Sequence, residues 1–194
     1  MRNKYIKKLI SNIYNFKFEI AAYLLSLIGL AKTKIFFDKN KTNRLEIGSG
    51  LTAKKDGFAT SDLSFKVDYP YDLRLGLPFP NESVDLIYSE HVLEHFSHED
   101  LIFLLKDCCR VLKPSGTFSV AVPNTKIYLD AYLNPNEFDY TKYCSYDFGL
   151  SYKSKIDYVN YIFYMGGEHR YMFDEDNILL ILKDVGFKYV KLRI

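Results

Sequence analysis

LEIGSG, residues Leu45–Gly50, decides how this chain folds. A short apolar run that reads as a buried strand, Arg44–Gly48, ends in two glycines one residue apart. There the backbone can turn sharply and approach a ligand with no Cβ in the way. Outward from it, Phe58–Asp62 reads as a second strand closing on a lone aspartate. Val67–Leu73 reads as a third, made irregular or an edge by Pro70. Val84–Ser89 is a fourth strand and Thr117–Val122 a fifth. Ser97 and Asp100 form an S-x-x-D cap for a helix with Leu101, Leu104, Leu105, Cys108 and Leu112 on one side, ended by Lys113-Pro114-Ser115-Gly116. A last helix starts at Asp174, carries Ile178, Leu179, Leu182 and Val185, and stops at Gly186; Phe187–Ile194 reads as a sixth strand. Alternating strands and helices predict a mostly parallel sheet flanked by helices. Ligands in such sheets bind beyond the carboxyl ends of the strands.

The length of 194 residues is enough for one domain with a proper core. A formal charge of +2 gives no sign of nucleic-acid binding, but the charge is unevenly placed. Residues 1–44 hold ten Lys and Arg against Glu19 and Asp38, a net +8, which leaves −6 for the rest. A basic leader on an acidic body suits an anionic surface. In that leader Ile6, Leu9, Ile10 and Ile13 recur at helical spacing between lysines, and Ile20–Leu30 is apolar but short for a membrane span. The leader, residues 1–43, is read either as an amphipathic helix touching a membrane through residues 1–30 or as helix packed on the core. Cys108, Cys109 and Cys144 show neither metal spacing nor a disulfide framework, which fits a reducing cytoplasm.

The glycine loop lacks the third glycine of a pyrophosphate cradle, since position 53 is alanine, and no P-loop lysine follows. It therefore suits a cofactor without a pyrophosphate. Asp62 stands where a carboxylate accepts from ribose hydroxyls. Asp72 is placed to accept from an adenine amino group. Taken singly, each aspartate reads better as a capped turn. A glycine loop and two acids in order at three successive strand ends favour a cofactor.

With LEIGSG, Ser61-Asp62, DLRLGLPFP, SVDLIYSEHVLEHF, RVLKPSGTFSVAVPN and HRYMFDEDNILLILKDVGF, the chain resembles the class I S-adenosylmethionine-dependent methyltransferases, over about Arg44–Phe187. It looks most like the methyltransferase-11-type branch, often found with bacterial cell-surface glycan genes. The resemblance implies a Rossmann-like fold over residues 44–194 and S-adenosylmethionine as cofactor. Glu46 and the Gly48-Ser49-Gly50 loop would line its methionine moiety, Asp62 its ribose and Asp72 its adenine. Ser89, Glu90 and His91 would face the sulfonium. Two departures stand out: a short gap from Gly50 to Asp62, which leaves little room for the usual first helix, and no seventh strand before Ile194.

An oxygen nucleophile gains from losing its proton, and His91 and His95 are the candidate bases. His91-x-x-Glu94-His95 also matches an inverted zinc-protease motif, which needs the stretch inside a helix; here it follows a strand directly. Some ubiquinone-biosynthesis and small-RNA methyltransferases carry E-x-x-E-H here and bind a divalent ion. That makes His91, Glu94, His95 and the downstream His169 metal candidates; otherwise Leu93-Glu94-His95 only organises the turn.

Residues 124–168 hold twelve aromatics in 45 residues, among them Tyr128, Tyr143, Tyr146, Tyr161, Phe138, Phe148 and Tyr152. So long a connection reads as a cap or lid, with Gly166-Gly167 as a hinge and Arg170 as a clamp for an anionic acceptor. Tyrosine suits a sugar or aromatic acceptor. The expectation is methyl transfer to a small acceptor, an oxygen of a glycan or its precursor by family association. The rivals are a non-catalytic methyltransferase-like subunit and a metal-dependent O-methyltransferase.

Overall fold

The computed structural model describes residues 2–38, 40–50, 55–134, 139–144, 146 and 154–193. Ala53, Lys54, Phe138, Phe148, Tyr152 and Ile194, and the side chains of residues 2–11, lie outside the description. The elements run α1 (Arg2–Phe36), β1 (Arg44–Ile47), β2 (Ala59–Asp62), β3 (Tyr69–Pro70), β4 (Val84–Glu90), α2 (His98–Val111), β5 (Leu112–Ala121), α3 (Thr125–Leu133), α4 (Tyr140–Tyr143), α5 (Lys155–Tyr164) and α6 (Glu175–Asp184). The strands form one sheet in the order β3-β2-β1-β4-β5, with β1–β2 and β2–β3 parallel. This is the doubly wound arrangement expected from the alternation.

The chain divides into two compact units, residues 1–88 with 110–118 and residues 89–109 with 119–194. In the first, β1 buries Leu45, Glu46 and Ile47. Its register pairs Glu46 with Thr60 and Ile47 with Ser61. The long helix α1 belongs to this unit. Ala22, Leu25, Ser26, Gly29 and Thr33 recur at helical spacing and are buried. Gly29 lies so close to β3 that a Cβ on it would stand 2.1 Å from the Pro70 carbonyl oxygen. Lys32 Nζ donates to the Asp68 carbonyl at 2.9 Å, and Arg74 pairs with Glu19 at 2.9 Å.

The second unit holds most of α2 and the aromatic insertion. Ser97 Oγ accepts the Asp100 N–H at 3.2 Å, as the cap motif predicts. Leu101, Leu104, Leu105, Cys108 and Val111 of α2 are wholly buried, each apolar one worth about 1.5–3 kcal/mol. Within the insertion Tyr128, Cys144, Tyr161 and Ile162 form a small core. Asp174 caps α6 by accepting the Asn177 N–H at 2.7 Å, and Gly186, at φ 119°, ends it.

Three sequence expectations are corrected. The third strand shrinks to Tyr69–Pro70, because Pro70 has no N–H to extend the ladder and Asp72 caps a 3-10 turn at Leu73–Leu75. The fifth strand starts at Leu112, so the Lys113–Gly116 turn lies inside it; Pro114 is tolerated because β5 is an edge. Phe187–Arg193 forms no strand. Its apolar residues, Phe187, Tyr189, Val190 and Leu192, slip by one between 189 and 190, so neither face is consistently apolar, and Tyr189 is 97% exposed.

Candidate active site

The glycine loop follows β1 because the backbone must leave the sheet in a conformation that suits glycine. Gly48 has φ 67° and Gly50 φ 58°, and a Cβ on Gly50 would meet only open space. The loop is tied to the next strand at two points. Gly48 N–H donates to the Ser61 carbonyl at 2.8 Å, and Gly50 N–H donates to Asp62 Oδ2 at 2.6 Å. The other carboxylate oxygen of Asp62 accepts the Leu63 N–H. The carboxylate at the end of β2 is thus held against the glycine loop.

Glu46 is 4% exposed. One of its oxygens pairs with Lys55 Nζ at 2.6 Å, while Oε2 is buried with no partner. Ser61 Oγ in the next strand is likewise buried and unpartnered. Such groups are costly unless a ligand satisfies them. Ser49 is buried in the loop. Lys55 stands 4.3 Å from the Tyr88 ring centre. Lys55 did not stand out in the sequence, and Ser61 did so only within the Ser61-Asp62 pair. Ser61 borders Asp62, which was the available signal; a lysine after a loop carries none.

Asp72 is occupied differently from the expectation of a free adenine acceptor. It caps the turn by accepting the Arg74 N–H at 3.0 Å, and its carboxylate takes Arg74 Nη2 at 2.6 Å. Its own N–H donates to Ser26 Oγ of α1 at 3.0 Å. Asp72, followed by Glu19, pushes the Arg74 guanidinium even higher than its ordinary value.

The second unit carries the remaining candidates. Ser89, at the end of β4, is fully buried with an unpartnered Oγ; Glu90 is exposed. His91 adopts φ 52°, rare for a residue with a Cβ, and is held there by its N–H donating to the Ala121 carbonyl at 3.1 Å. Its Nδ1 lies 3.3 Å from Glu94 Oε1. That hydrogen bond raises the imidazole pKa above its ordinary value, against partial burial. Leu93–His95 forms a 3-10 turn, not the helix a protease motif needs. The Glu94 carbonyl accepts the N–H groups of Arg170 and Tyr171 at 2.8 and 3.1 Å, which brings the downstream segment to this turn.

A cavity of about 670 Å³ opens here, lined by His91, Glu94, His95 and His169 from the polar side and by Tyr128, Tyr143, Tyr146 and Tyr161 from the insertion. Tyr128 and Tyr161 thus serve both the insertion's core and the cavity wall. His169 is buried, which lowers its pKa. Met165, Gly166 and Gly167 all have positive φ, so the backbone turns sharply at the end of α5. Arg170 is exposed and does not line the cavity.

Residues 58–120 match the family model described as Methyltransferase domain. A probable S-adenosylmethionine-dependent methyltransferase of Mycolicibacterium smegmatis is 39% identical over 75 residues, 34% of this chain and 28% of that protein. The match thus spans little more than a quarter of that relative's length. Among solved structures, the chain is similar to a SAM-dependent methyltransferase from Archaeoglobus fulgidus at 18% identity and a TM-score of 0.47, covering 84% of this chain and 69% of that one. It is also similar to a Haemonchus contortus phosphoethanolamine N-methyltransferase at 16% identity and a TM-score of 0.42, covering 82% and 37%. The family match over residues 58–120 and the mycobacterial relative make this part of the chain similar to S-adenosylmethionine-dependent methyltransferases.

Proposed function

We propose that the protein transfers a methyl group from S-adenosylmethionine to an oxygen of a small acceptor, a glycan or glycan precursor. The observation that carries this reading is the 2.6 Å bond from the Gly50 amide to the Asp62 carboxylate, which joins the glycine loop to the acid of the next strand. The residues fit the cofactor: Glu46 Oε2 is a buried acceptor lacking a donor, and an ammonium supplies one. Asp62 retains lone pairs for ribose hydroxyls beyond those used by Gly50 and Leu63. When bound, S-adenosylmethionine supplies a methyl group made electrophilic by its sulfonium.

His91 is the proposed general base. Nδ1 faces Glu94 Oε1, which orients the ring and favours its protonated form, so Nε2 is the atom that takes the acceptor's proton. The tyrosines of the insertion offer flat faces and hydroxyl tips to a sugar. Packing them over the cavity excludes water, and the positive-φ run Met165–Gly167 gives the insertion a place to pivot.

The working location is proposed to be the cytoplasmic face of a membrane, with α1 lying on the lipid. What supports this is the outer side of α1, where Phe16, Tyr23, Leu24, Leu27 and Ile28 are exposed among lysines. Asn12–Ile35 is long and apolar enough to cross a bilayer. However, the contacts of Glu19, Ser26 and Lys32 with the first unit require that side to stay outside lipid.

Turnover tests the reading. Purified protein incubated with methyl-labelled cofactor and a panel of saccharides and sugar phosphates should release S-adenosylhomocysteine, and His91→Ala should slow release with cofactor affinity kept. Tight cofactor binding with no product from any acceptor would instead identify a non-catalytic subunit.

A further inference from the structure

Glu94, His95 and His169 each offer a metal-ligating atom, and these three atoms lie within 4.8 Å of one another. Their hydrogen bonds leave complementary atoms free. His95 Nδ1 lies 3.1 Å from the Glu168 carbonyl oxygen, and His169 Nδ1 lies 2.7 Å from the Ile162 carbonyl oxygen. A carbonyl can only accept, so in both rings Nδ1 carries the proton. Both Nε2 atoms therefore keep a lone pair. A backbone carbonyl behind Nδ1 is also how proteins fix the tautomer and orientation of metal-binding histidines.

The third group completes the set. Glu94 is 1% exposed, its Oε1 is engaged by His91, and its Oε2 is buried without any hydrogen-bond partner. A buried, unpartnered carboxylate oxygen is costly, and a cation satisfies it. The Glu94 backbone is fixed as well, through the N–H groups of Arg170 and Tyr171. All three residues line the same cavity, so an ion there would be reached by a ligand in it.

We propose that Glu94, His95 and His169 bind one divalent transition-metal ion on the polar wall of the cavity, with its remaining coordination positions open to the acceptor. Two imidazoles and one carboxylate select zinc, iron or cobalt over magnesium or calcium, which prefer all-oxygen sets. Donor atoms bound at about 2.0–2.2 Å in a tetrahedral or cis arrangement stand about 3.0–3.6 Å apart, so side chains now within 4.8 Å of one another draw in by about an ångström on binding. His91 stays outside the coordination shell, since its ring is largely exposed and its Nδ1 already holds Glu94 Oε1; it orients the carboxylate. The acceptor class that follows is one with an oxygen able to bind the ion, because a metal-bound hydroxyl loses its proton more readily. The metal site itself rests on the geometry of these three residues; only the acceptor class rests on the methyl-transfer reading.

The test uses the full chain without a histidine tag. After chelator dialysis, Co²⁺ is titrated in while visible absorbance is followed. One equivalent should bind, zinc should displace it, and a hundredfold excess of magnesium should not. His95→Gln alters an exposed ring and leaves the core packing alone; it should weaken Co²⁺ binding at least tenfold, with circular dichroism unchanged. Absence of stoichiometric cobalt uptake, or His95→Gln binding cobalt as the parent does, overturns the site. S-adenosylhomocysteine binding measured on the same samples separates this failure from failure of the methyltransferase reading, because cobalt uptake needs neither cofactor nor acceptor.

Discussion

At the scale of single residues, Asp62 joins an observed task to a proposed one. Its Oδ2 holds the Gly50 amide at 2.6 Å, and its remaining lone pairs are available to a ribose. Asp62→Ala removes both, and each charge-assisted hydrogen bond is worth about 1.5–3 kcal/mol. Cofactor affinity measured by calorimetric titration should therefore fall by roughly 10- to 100-fold, and Asp62→Asn, which keeps one acceptor oxygen, should recover part of it. Unchanged affinity would remove Asp62 from the site. The glycine loop and this aspartate were legible because backbone conformation restricts which residues serve, so the requirement is written in residue type. The occupation of Asp72 by Arg74 was not legible. Both readings of Asp72, adenine acceptor and turn cap, need the same carboxylate, so the residue type alone does not foretell its bonds to Arg74 and to Ser26 of α1.

At the scale of elements, the periodic helices were readable and the marginal strands were not. α2 and α6 announce themselves through caps and apolar spacing, and their buried faces contain the predicted Leu101, Leu104, Leu105, Ile178 and Leu182. The third strand is shorter than expected and the sixth does not form, because their pairing depends on neighbours, not on local pattern. α1 gives a sharper case. Replacing glycine by alanine inside a helix ordinarily stabilises by about 1 kcal/mol. At Gly29 the sign should reverse, because the new Cβ would sit 2.1 Å from a backbone oxygen of Pro70. Overpacking of that kind costs about 1–3 kcal/mol, so thermal unfolding of Gly29→Ala should show a lowered Tm. The insertion has its own probe. Burial pushes the Cys144 thiol up to about 11, so at pH 8 the folded protein holds almost none of its reactive thiolate. Alkylation of Cys144, followed by mass spectrometry, should run roughly a hundredfold slower than in denaturant. A rate equal to the denatured one would mean that the core of Tyr128, Tyr161 and Ile162 does not protect it.

At the scale of the whole molecule, the division of charge suits the lipid-facing role proposed for the leader. Helix α1 has one side spent on the first unit and another that leaves Phe16, Tyr23, Leu24, Leu27 and Ile28 in water. An apolar side this long, flanked by Lys17 and Lys34, is what an interfacial helix presents to lipid. Residues 1–44 carry a net +8 against −6 for the rest, so an anionic surface attracts the helix and repels the body behind it. Each basic residue near such a surface contributes about 1 kcal/mol, and the attraction falls off within a Debye length. Flotation with vesicles rich in an anionic phospholipid should therefore recover most of the protein at low salt. Recovery should be much lower with zwitterionic vesicles. Adding 1 M NaCl should remove only the electrostatic part, leaving what the apolar side contributes. Leu24→Glu with Leu27→Glu places charge on that outer side and touches none of the residues that hold α1 to the first unit, so its Tm should stay near the parent's while flotation drops at least tenfold. Equal flotation of parent and double variant, or none by the parent at low salt, would assign the exposed side of α1 to something other than lipid.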